Sequence, residues 1–316
     1  MGIKLFEETS IKVKKVIINA DDFGISKSVN LGMVEAFKKG VLTSVSFMSN
    51  MPAFKDAVCH IKNNSDMGVG IHLNINLGRP VLPSQKVKTL INRDGLFLSN
   101  NYQFIKKLYL RQFNLSEVEN EFRSQIEKVK NENIKMDHID SHRHIHMFPQ
   151  FFQLITKLAK EYDIPVVRFS CENLRLGSSN NYYHMMQYNW KYIRQYFYDL
   201  NKLLLLKILA SFDKKILKKS CLKKTDYFFG VFLMGRMRFE QYIKIFNIIG
   251  DGYTEIACHP GYIDNEFIAT NDSLIEEREE ELRTLLDPRL KQAILRNNIS
   301  LVTFAEISKD LLGADQ

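Results

Sequence analysis

Four of the eight histidines lie within nine residues of one another, in the segment 137–146 with the sequence DHIDSHRHIH. Neutral imidazole is the commonest metal ligand in proteins, and a neighbouring carboxylate often orients the ring. The even spacing of His142, His144 and His146 would put these side chains on one side of the chain if the preceding strand continues. A solvated polar strand end is the alternative, but so dense a mixture of His and Asp favours a metal or catalytic site.

Two adjacent carboxylates, Asp21 and Asp22, follow the apolar run KVIINA, and two further histidines occupy similar places. His72 lies within the apolar segment GVGIHLNI, and His259 follows TEIAC. Taken singly, each has an ordinary explanation: a turn or helix cap for the aspartates, and a core or turn residue for each histidine. Adjacent like charges, however, raise one pKa unless a cation lies between them, so the aspartate pair also fits a cation site.

These residues share a position in the predicted secondary structure, because each ends or follows an apolar, β-branched run typical of a buried strand. Strands are predicted at 15–20, 41–48, 68–75, 138–141, 165–170, 254–258 and 300–303. Helical patterns lie between them, which predicts an α/β fold and favours a (β/α) barrel. The carboxyl ends of barrel strands meet at the catalytic face, so the fold would gather Asp21, Asp22, His72, His142 and His259.

A segment at about 174–225 interrupts this alternation and is predicted to be a helical insertion in a single domain. It contains eleven Lys or Arg residues against two Asp, whereas the whole chain of 316 residues carries a net charge of +8. The remainder is therefore near neutral, which argues against a nucleic-acid-binding protein. Three interpretations of this basic, aromatic insertion are open: a cover on the barrel, a surface that meets anionic lipid or an anionic glycan carrier, and a homodimer interface.

The sequence also bears on location and redox chemistry. The N-terminal segment carries Glu7 and Glu8 where a secretion signal would be apolar, and the most apolar run, 203–206, is bounded by lysines. A cytoplasmic location is therefore expected. None of the four cysteines forms a CxxC pair, which argues against a zinc knuckle or a redox motif.

Together the motifs resemble the YdjC-like carbohydrate deacetylases, a family that includes chitooligosaccharide deacetylases. The matching stretches are VIINADDFGISKSVNLGMVEAFKKGVLTSVSFMSNMPAF (16–54), VGIHLN (69–74), HIDSHRHIHMFPQ (138–150), IPVVRFS (164–170), DYFFGVF (226–232) and ACHPGY (257–262). The resemblance implies a distorted (β/α) barrel like that of the NodB-type polysaccharide deacetylases. This sequence lacks the helical HxxxH pair of that wider group, so the second ligand histidine would come from the DSH motif.

The resemblance implies a metal-dependent hydrolase that removes an N-acetyl group from an amino sugar or oligosaccharide. Asp22, His72 and His142 would hold one divalent metal, with zinc or magnesium favoured and manganese and cobalt also compatible. Asp21 would act as the general base, and His259 is the candidate for the acid that protonates the leaving nitrogen.

Three further residues receive roles around this set. Asp140 is expected to hold His142 or a neighbouring imidazole, and Arg168 and His144 are candidates for substrate contacts. Two rival functions stay open: hydrolysis of another amide or a phosphoester on the same barrel, and non-catalytic binding of a glycan or lipid-linked sugar. A second carboxylate cluster would favour the phosphoester, whereas binding alone would need neither the base nor the acid.

Overall fold

The computed structural model describes residues 13–172, 193–270, 272 and 274–312. Within these residues the strands form one eight-stranded sheet in the order β5-β4-β3-β2-β1-β7-β6, with β8 paired to β1. The strands are β1 (Lys14–Phe23), β2 (Ser44–Phe47), β3 (Gly68–Leu73), β4 (His138–Ser141), β5 (Val166–Val167), β6 (Tyr227–Phe229), β7 (Gly252–Cys258) and β8 (Ile299–Leu301). All of these pairings are parallel, which confirms the predicted α/β barrel-like architecture.

Helices surround the sheet and connect its strands, as parallel pairing requires. They are α1 (Lys27–Lys39), α2 (Phe54–Lys62), α3 (Asn101–Tyr109), α4 (Leu115–Lys130), α5 (Pro149–Glu161), α6 (Ile193–Ser220), α7 (Phe239–Ile248), α8 (Asn265–Ile268), α9 (Glu276–Leu286), α10 (Pro288–Arg296) and α11 (Phe304–Leu312). The first helix shows how the local sequence sets these bounds. The Ser26 hydroxyl accepts a hydrogen bond from the Val29 amide, and Gly40 follows the last residue of α1, at a point where a Cβ would lie 2.5 Å from the Leu285 carbonyl oxygen.

β1 is the centre of the sheet, and its alternating side chains divide the interior into two parts. Val16, Ile18 and Ala20 belong to the main apolar core beneath the helices. Ile17 points to the other face, where it packs with Val166 and Phe304 in a smaller apolar cluster. Asn19 and Asp21 follow Ile17 on the same face because side chains alternate along a strand. The interior therefore changes from apolar to polar toward the carboxyl end of β1.

The structure shows a long helix within the predicted insertion. α6 packs against α5 and against the turn that follows β4. Its buried positions Leu203, Leu206, Ala210 and Leu217 recur at helical spacing. The first part of the insertion, including its dense aromatic residues at 182–192, lies outside the described residues. Over the described part of the chain, no helix combines the length and apolar character needed to cross a bilayer.

Candidate active site

The carboxyl ends of the central strands open into one cavity of about 760 Å³. The five residues that the sequence singled out all line this cavity: Asp21, Asp22, His72, His142 and His259. They come from β1, β3, the turn after β4, and the end of β7. The parallel sheet thus brings together residues separated by more than two hundred positions in the chain.

An irregularity at the end of β1 turns both aspartates toward the cavity. Adjacent residues of a regular strand point to opposite faces, which would separate Asp21 from Asp22. Here the register of β1 against β2 shifts between Ala20 and Phe23, and Asp22 has a φ of 72°. Asp tolerates this left-handed region better than most residues, although such a conformation costs about 1–3 kcal/mol. The strained backbone at Asp22 therefore has a clear consequence: two neighbouring carboxylates reach one site.

Asp22, His72 and His142 form a compact buried triad. Their nearest nitrogen and oxygen atoms all lie within 4.8 Å of one another. The Asp22 Oδ1 atom is 2.9 Å from His142 Nδ1 and 3.5 Å from His72 Nε2. The Nε2 atom of His142 is buried without a hydrogen-bond partner among the described residues. A donor set of two imidazoles and one carboxylate, with a buried ring nitrogen left over, fits a divalent metal.

Asp140 holds the imidazole of His72 from behind. Its Oδ1 atom lies 2.7 Å from His72 Nδ1, and its Oδ2 atom accepts a 2.8 Å hydrogen bond from the Ser46 hydroxyl. The sequence led us to expect that Asp140 holds His142 or a neighbouring imidazole. In the structure the imidazole that it holds is that of His72. Burial alone would lower the pKa of His72, but Asp140 and Asp21 raise it to about 10. These carboxylates therefore favour a positive charge at the His72 ring, whether a proton or a metal ion supplies it.

Asp21 is clamped by a fully buried arginine. Arg168 binds both of its carboxylate oxygens at 2.7 Å, and its Nε atom donates to Glu255 at 2.6 Å. Burial raises the pKa of Asp21, but Arg168 and His72 outweigh this effect and hold the pKa below its ordinary value. Asp21 is therefore ionised at neutral pH, as a proton acceptor must be.

The position of Arg168 differs from the substrate contact that the sequence suggested. The side chain is 1% exposed, does not line the cavity, and directs its donors to Asp21, Asp140 and Glu255. The strand-end location was right, but the side chain lies behind the carboxylates. Its role in the structure is to orient Asp21 and to neutralise buried negative charge.

His259 approaches the cavity from the end of β7. Its backbone amide donates to the Glu281 carboxylate at 2.6 Å, which fixes the main chain at this point. Its Nδ1 atom is buried and has no partner among the described residues. Burial lowers the pKa of His259, whereas the charges of Asp22 and Asp21 act in the opposite direction. The resting ring is therefore neutral at neutral pH, and the nearby carboxylates favour its protonated form.

The remaining histidines of the cluster are not aligned by strand alternation. β4 ends at Ser141, and the chain turns sharply because Arg143 and His144 have φ values of 56° and 58°. The strand therefore does not continue through the histidines, and their even spacing does not place them on one side of it. His144 nevertheless lines the cavity, with its Nδ1 atom 2.9 Å from the Ser170 hydroxyl, whereas His146 is fully buried against Ser141.

Comparison with known proteins identifies the family of the chain. The profile of the YdjC-like protein family matches residues 15–296. The chain belongs to the YdjC-like family. A protein named carbohydrate deacetylase from Clostridium beijerinckii is 32% identical to this YdjC-like protein, over 93% of this chain and 100% of the relative. A protein of the same name from Brevibacillus brevis is 34% identical, over 93% of this chain and 99% of the relative. The family that the motifs suggested is therefore confirmed.

A solved structure shares the fold of this YdjC-like protein. It is described as a proposed cellobiose-phosphate cleavage protein from Enterococcus faecalis V583. The TM-score is 0.72 at 24% sequence identity, and the match covers 93% of this chain and 99% of that one. At this identity the likeness concerns the fold, and it supports the barrel-like arrangement of parallel strands and surrounding helices.

The sequence did not single out a second buried arginine in this YdjC-like protein. Arg278 on α9 is fully buried, and its Nη2 atom lies 2.5 Å from Asp22 Oδ2 and 2.7 Å from Asp272 Oδ2. It is one charge among many in the segment EEREEELR, so nothing in the local pattern distinguishes it. The arginine joins the metal-ligand candidate Asp22 to Asp272, a further carboxylate that lines the cavity.

Proposed function

We propose that this YdjC-like protein is a metal-dependent hydrolase that removes an N-acetyl group from an amino sugar or an oligosaccharide. The observation that carries the proposal is the pairing of two neighbouring carboxylates: Asp22 lies in the His72–His142 triad, and Asp21 is held beside it by Arg168. His259 lines the same cavity. The names of the relatives support an acetylated carbohydrate as the substrate.

Charge balance supports a divalent metal. Five buried carboxylates contact the two buried arginines of the site (Asp21, Asp22, Asp140, Asp272 and Glu255 against Arg168 and Arg278). Burial raises the pKa of Glu255 to about 7, and when Glu255 is protonated the four aspartates still outnumber the two arginines by two. Burying uncompensated charge is costly, and a doubly charged cation would remove the excess. Asp22, His72 and His142 would hold it, with zinc or magnesium favoured and manganese and cobalt compatible. When bound, such an ion lowers the pKa of water and polarises a carbonyl group.

The protein's own side chains provide the proton transfers. Amide hydrolysis adds one water across the C–N bond, so one proton must leave the attacking water and one must reach the departing nitrogen. Asp21 accepts the first proton, because Arg168 keeps its carboxylate ionised and fixed toward the cavity. The resting His259 ring is neutral, so it first takes up a proton from solvent, which the charges of Asp22 and Asp21 favour, and then delivers that proton to the departing nitrogen. The proton accepted by Asp21 returns to solvent, so the two transfers balance. His144 and Lys202 line the cavity and provide polar groups for sugar hydroxyls.

Acetate release from a panel of N-acetylglucosamine oligomers tests this function directly. We expect release with added zinc, magnesium, manganese or cobalt, loss of release with a chelator, and recovery when the metal is restored. Phosphoesters assayed under the same conditions provide the comparison. Metal binding without turnover of any acetylated sugar would contradict the proposal and favour the glycan-binding alternative, while turnover of phosphoesters alone would favour the other hydrolase.

The Arg278–Asp272 pair gives a separate prediction about metal affinity. Replacing Asp272 with Asn leaves the charge of Arg278 balanced by Asp22 alone, so the ligand carboxylate is less available to a cation. We expect the metal dissociation constant to rise about 10–100-fold, the range typical of groups that support a ligand. Competition against a chelating dye would measure it. Asp287→Asn, at the start of α10, makes the same change outside the site and should leave affinity unchanged; equal affinity in both variants would refute the role of Asp272.

A further inference from the structure

The outer face of α6 is unusual for a helix on the surface of a barrel. Six large apolar residues on this face are exposed, with relative exposures between 41% and 63%: Phe197, Leu200, Leu204, Leu205, Ile208 and Phe212. The buried apolar positions of α6 are others, including Leu203, Leu206, Ala210 and Leu217. The exposed residues are therefore not required for the core, and exposed apolar patches of this kind commonly mark interaction sites.

This face continues at the mouth of the cavity. Ile105 on α3 is 45% exposed, and both Ile105 and Leu205 line the cavity. α3 also exposes Tyr102 and Tyr109, at 76% and 86%. We call the exposed apolar residues of α3 and α6 the apolar rim. A binding partner that covers this rim would lie directly beside the entrance to the candidate active site.

The charges on α6 indicate the chemical class of the partner that would cover the apolar rim. The helix also exposes five lysines: Lys207 lies among the apolar residues, and four more follow them at the carboxyl end of the helix (Lys214, Lys215, Lys218 and Lys219). Its two acidic residues, Asp199 and Asp213, are fully buried. The exposed side chains described on α6 therefore include cations and large apolar groups but no carboxylate. Leucine, aromatic and lysine side chains together are the composition of helices that lie in the interface of anionic membranes.

We propose that the apolar rim and the lysines of α6 form a docking surface for an anionic lipid membrane. A bilayer accommodates both sets of side chains, because acyl chains cover the apolar residues and anionic headgroups neutralise the lysines. A second copy of this chain fits less well. It would bring further lysines to the same surface, and the exposed part of α6 offers no carboxylate to balance them. Docking would place the cavity mouth at the membrane surface.

Vesicle flotation of the full-length protein tests the proposal without any substrate, so its result is independent of the deacetylase activity. We expect binding to vesicles of phosphatidylcholine with 30% phosphatidylglycerol (about one anionic lipid in three), little binding to phosphatidylcholine alone, and weakening as salt is raised. Glutamine in place of four lysines of α6 should lower the bound fraction at least about tenfold (Lys214, Lys215, Lys218 and Lys219).

A matched variant separates a docking surface from general attraction by a basic protein. It replaces four exposed lysines on other parts of the surface with Gln, giving the same change in net charge (Lys38, Lys86, Lys160 and Lys291). This variant should bind as the wild type does, whereas Leu204→Ser with Ile208→Ser should lose binding while keeping the same thermal unfolding midpoint. Equal losses in the two lysine variants would overturn the proposal.

Three other outcomes would also overturn it. Absence of binding to anionic vesicles at low salt would remove the membrane as the partner. A dimer in light scattering that Leu204→Ser with Ile208→Ser dissociates, together with no vesicle binding, would identify the rim as a contact between two copies of the chain. Binding that survives loss of the apolar residues and of the lysines would place the contact elsewhere on the protein.

Discussion

Replacing Asp21 with Asn should remove most of the hydrolytic rate while leaving the metal bound. The amide of Asn cannot accept the proton from water, and a single acid–base residue typically contributes about 10²–10⁴-fold. The triad of Asp22, His72 and His142 is not altered by the change. Arg168 keeps its contacts with Asp140 and Glu255, so the buried guanidinium retains two carboxylate partners. Acetate release and bound metal, measured on the same preparation, test the two halves of this prediction.

Asp22→Asn provides the matched control, because the same chemical change is made one residue away. It should lose metal and activity together, as should His72→Ala and His142→Ala, since each removes a candidate ligand. The thermal unfolding midpoint of each variant checks that the fold survives. If Asp21→Asn lost the metal and Asp22→Asn kept it, the assignment of base and ligand would have to be exchanged.

The contrast between these neighbours shows what the sequence could and could not predict. The apolar run before Asp21 predicted a strand, and the rule that parallel strands share a carboxyl edge predicted that His72 and His259 would join it. The bulge at the end of β1 and the left-handed backbone of Asp22 could not be read from residue types. Yet these local departures from regular geometry are what let adjacent carboxylates face one cavity and receive different partners.

The arginines show a second limit of sequence-based prediction. Arg168 was placed correctly at a strand end, but its burial behind Asp21 depends on Asp140 and Glu255 from two other strands. Arg278 reaches Asp22 from 256 positions away along the chain. Hydrophobic periodicity reports which face of an element is apolar and carries no information on such long-range charge pairs. The turn at His144 was missed for a related reason, since two consecutive left-handed residues there carry no Gly or Asn signal.

The insertion was predicted only in part from the sequence. Its positive charge is plain in the sequence and its helical character was predicted from it, and the structure has a long helix, α6, within this segment. The pattern alone did not separate buried leucines from exposed ones, because apolar residues occur on every side of this helix. Only the packing against α5 shows that Leu203 and Leu206 belong to the core while Leu204 and Leu205 face outward. The membrane-docking proposal depends on that distinction.

Replacing His259 with Ala should retain the metal and reduce the rate on amides far more than on esters. The departing nitrogen of an amide must be protonated, and loss of the acid should cost about 10²–10⁴-fold. An alkoxide leaves more readily without a proton, so an O-acetyl substrate in the same cavity should show a smaller defect. His144→Ala is the control, because this ring also lines the cavity and is predicted to contact the sugar. It should raise KM for both substrates by similar factors. Equal loss of kcat on amide and ester in His259→Ala would argue against the acid role and leave His259 as a residue that shapes the cavity.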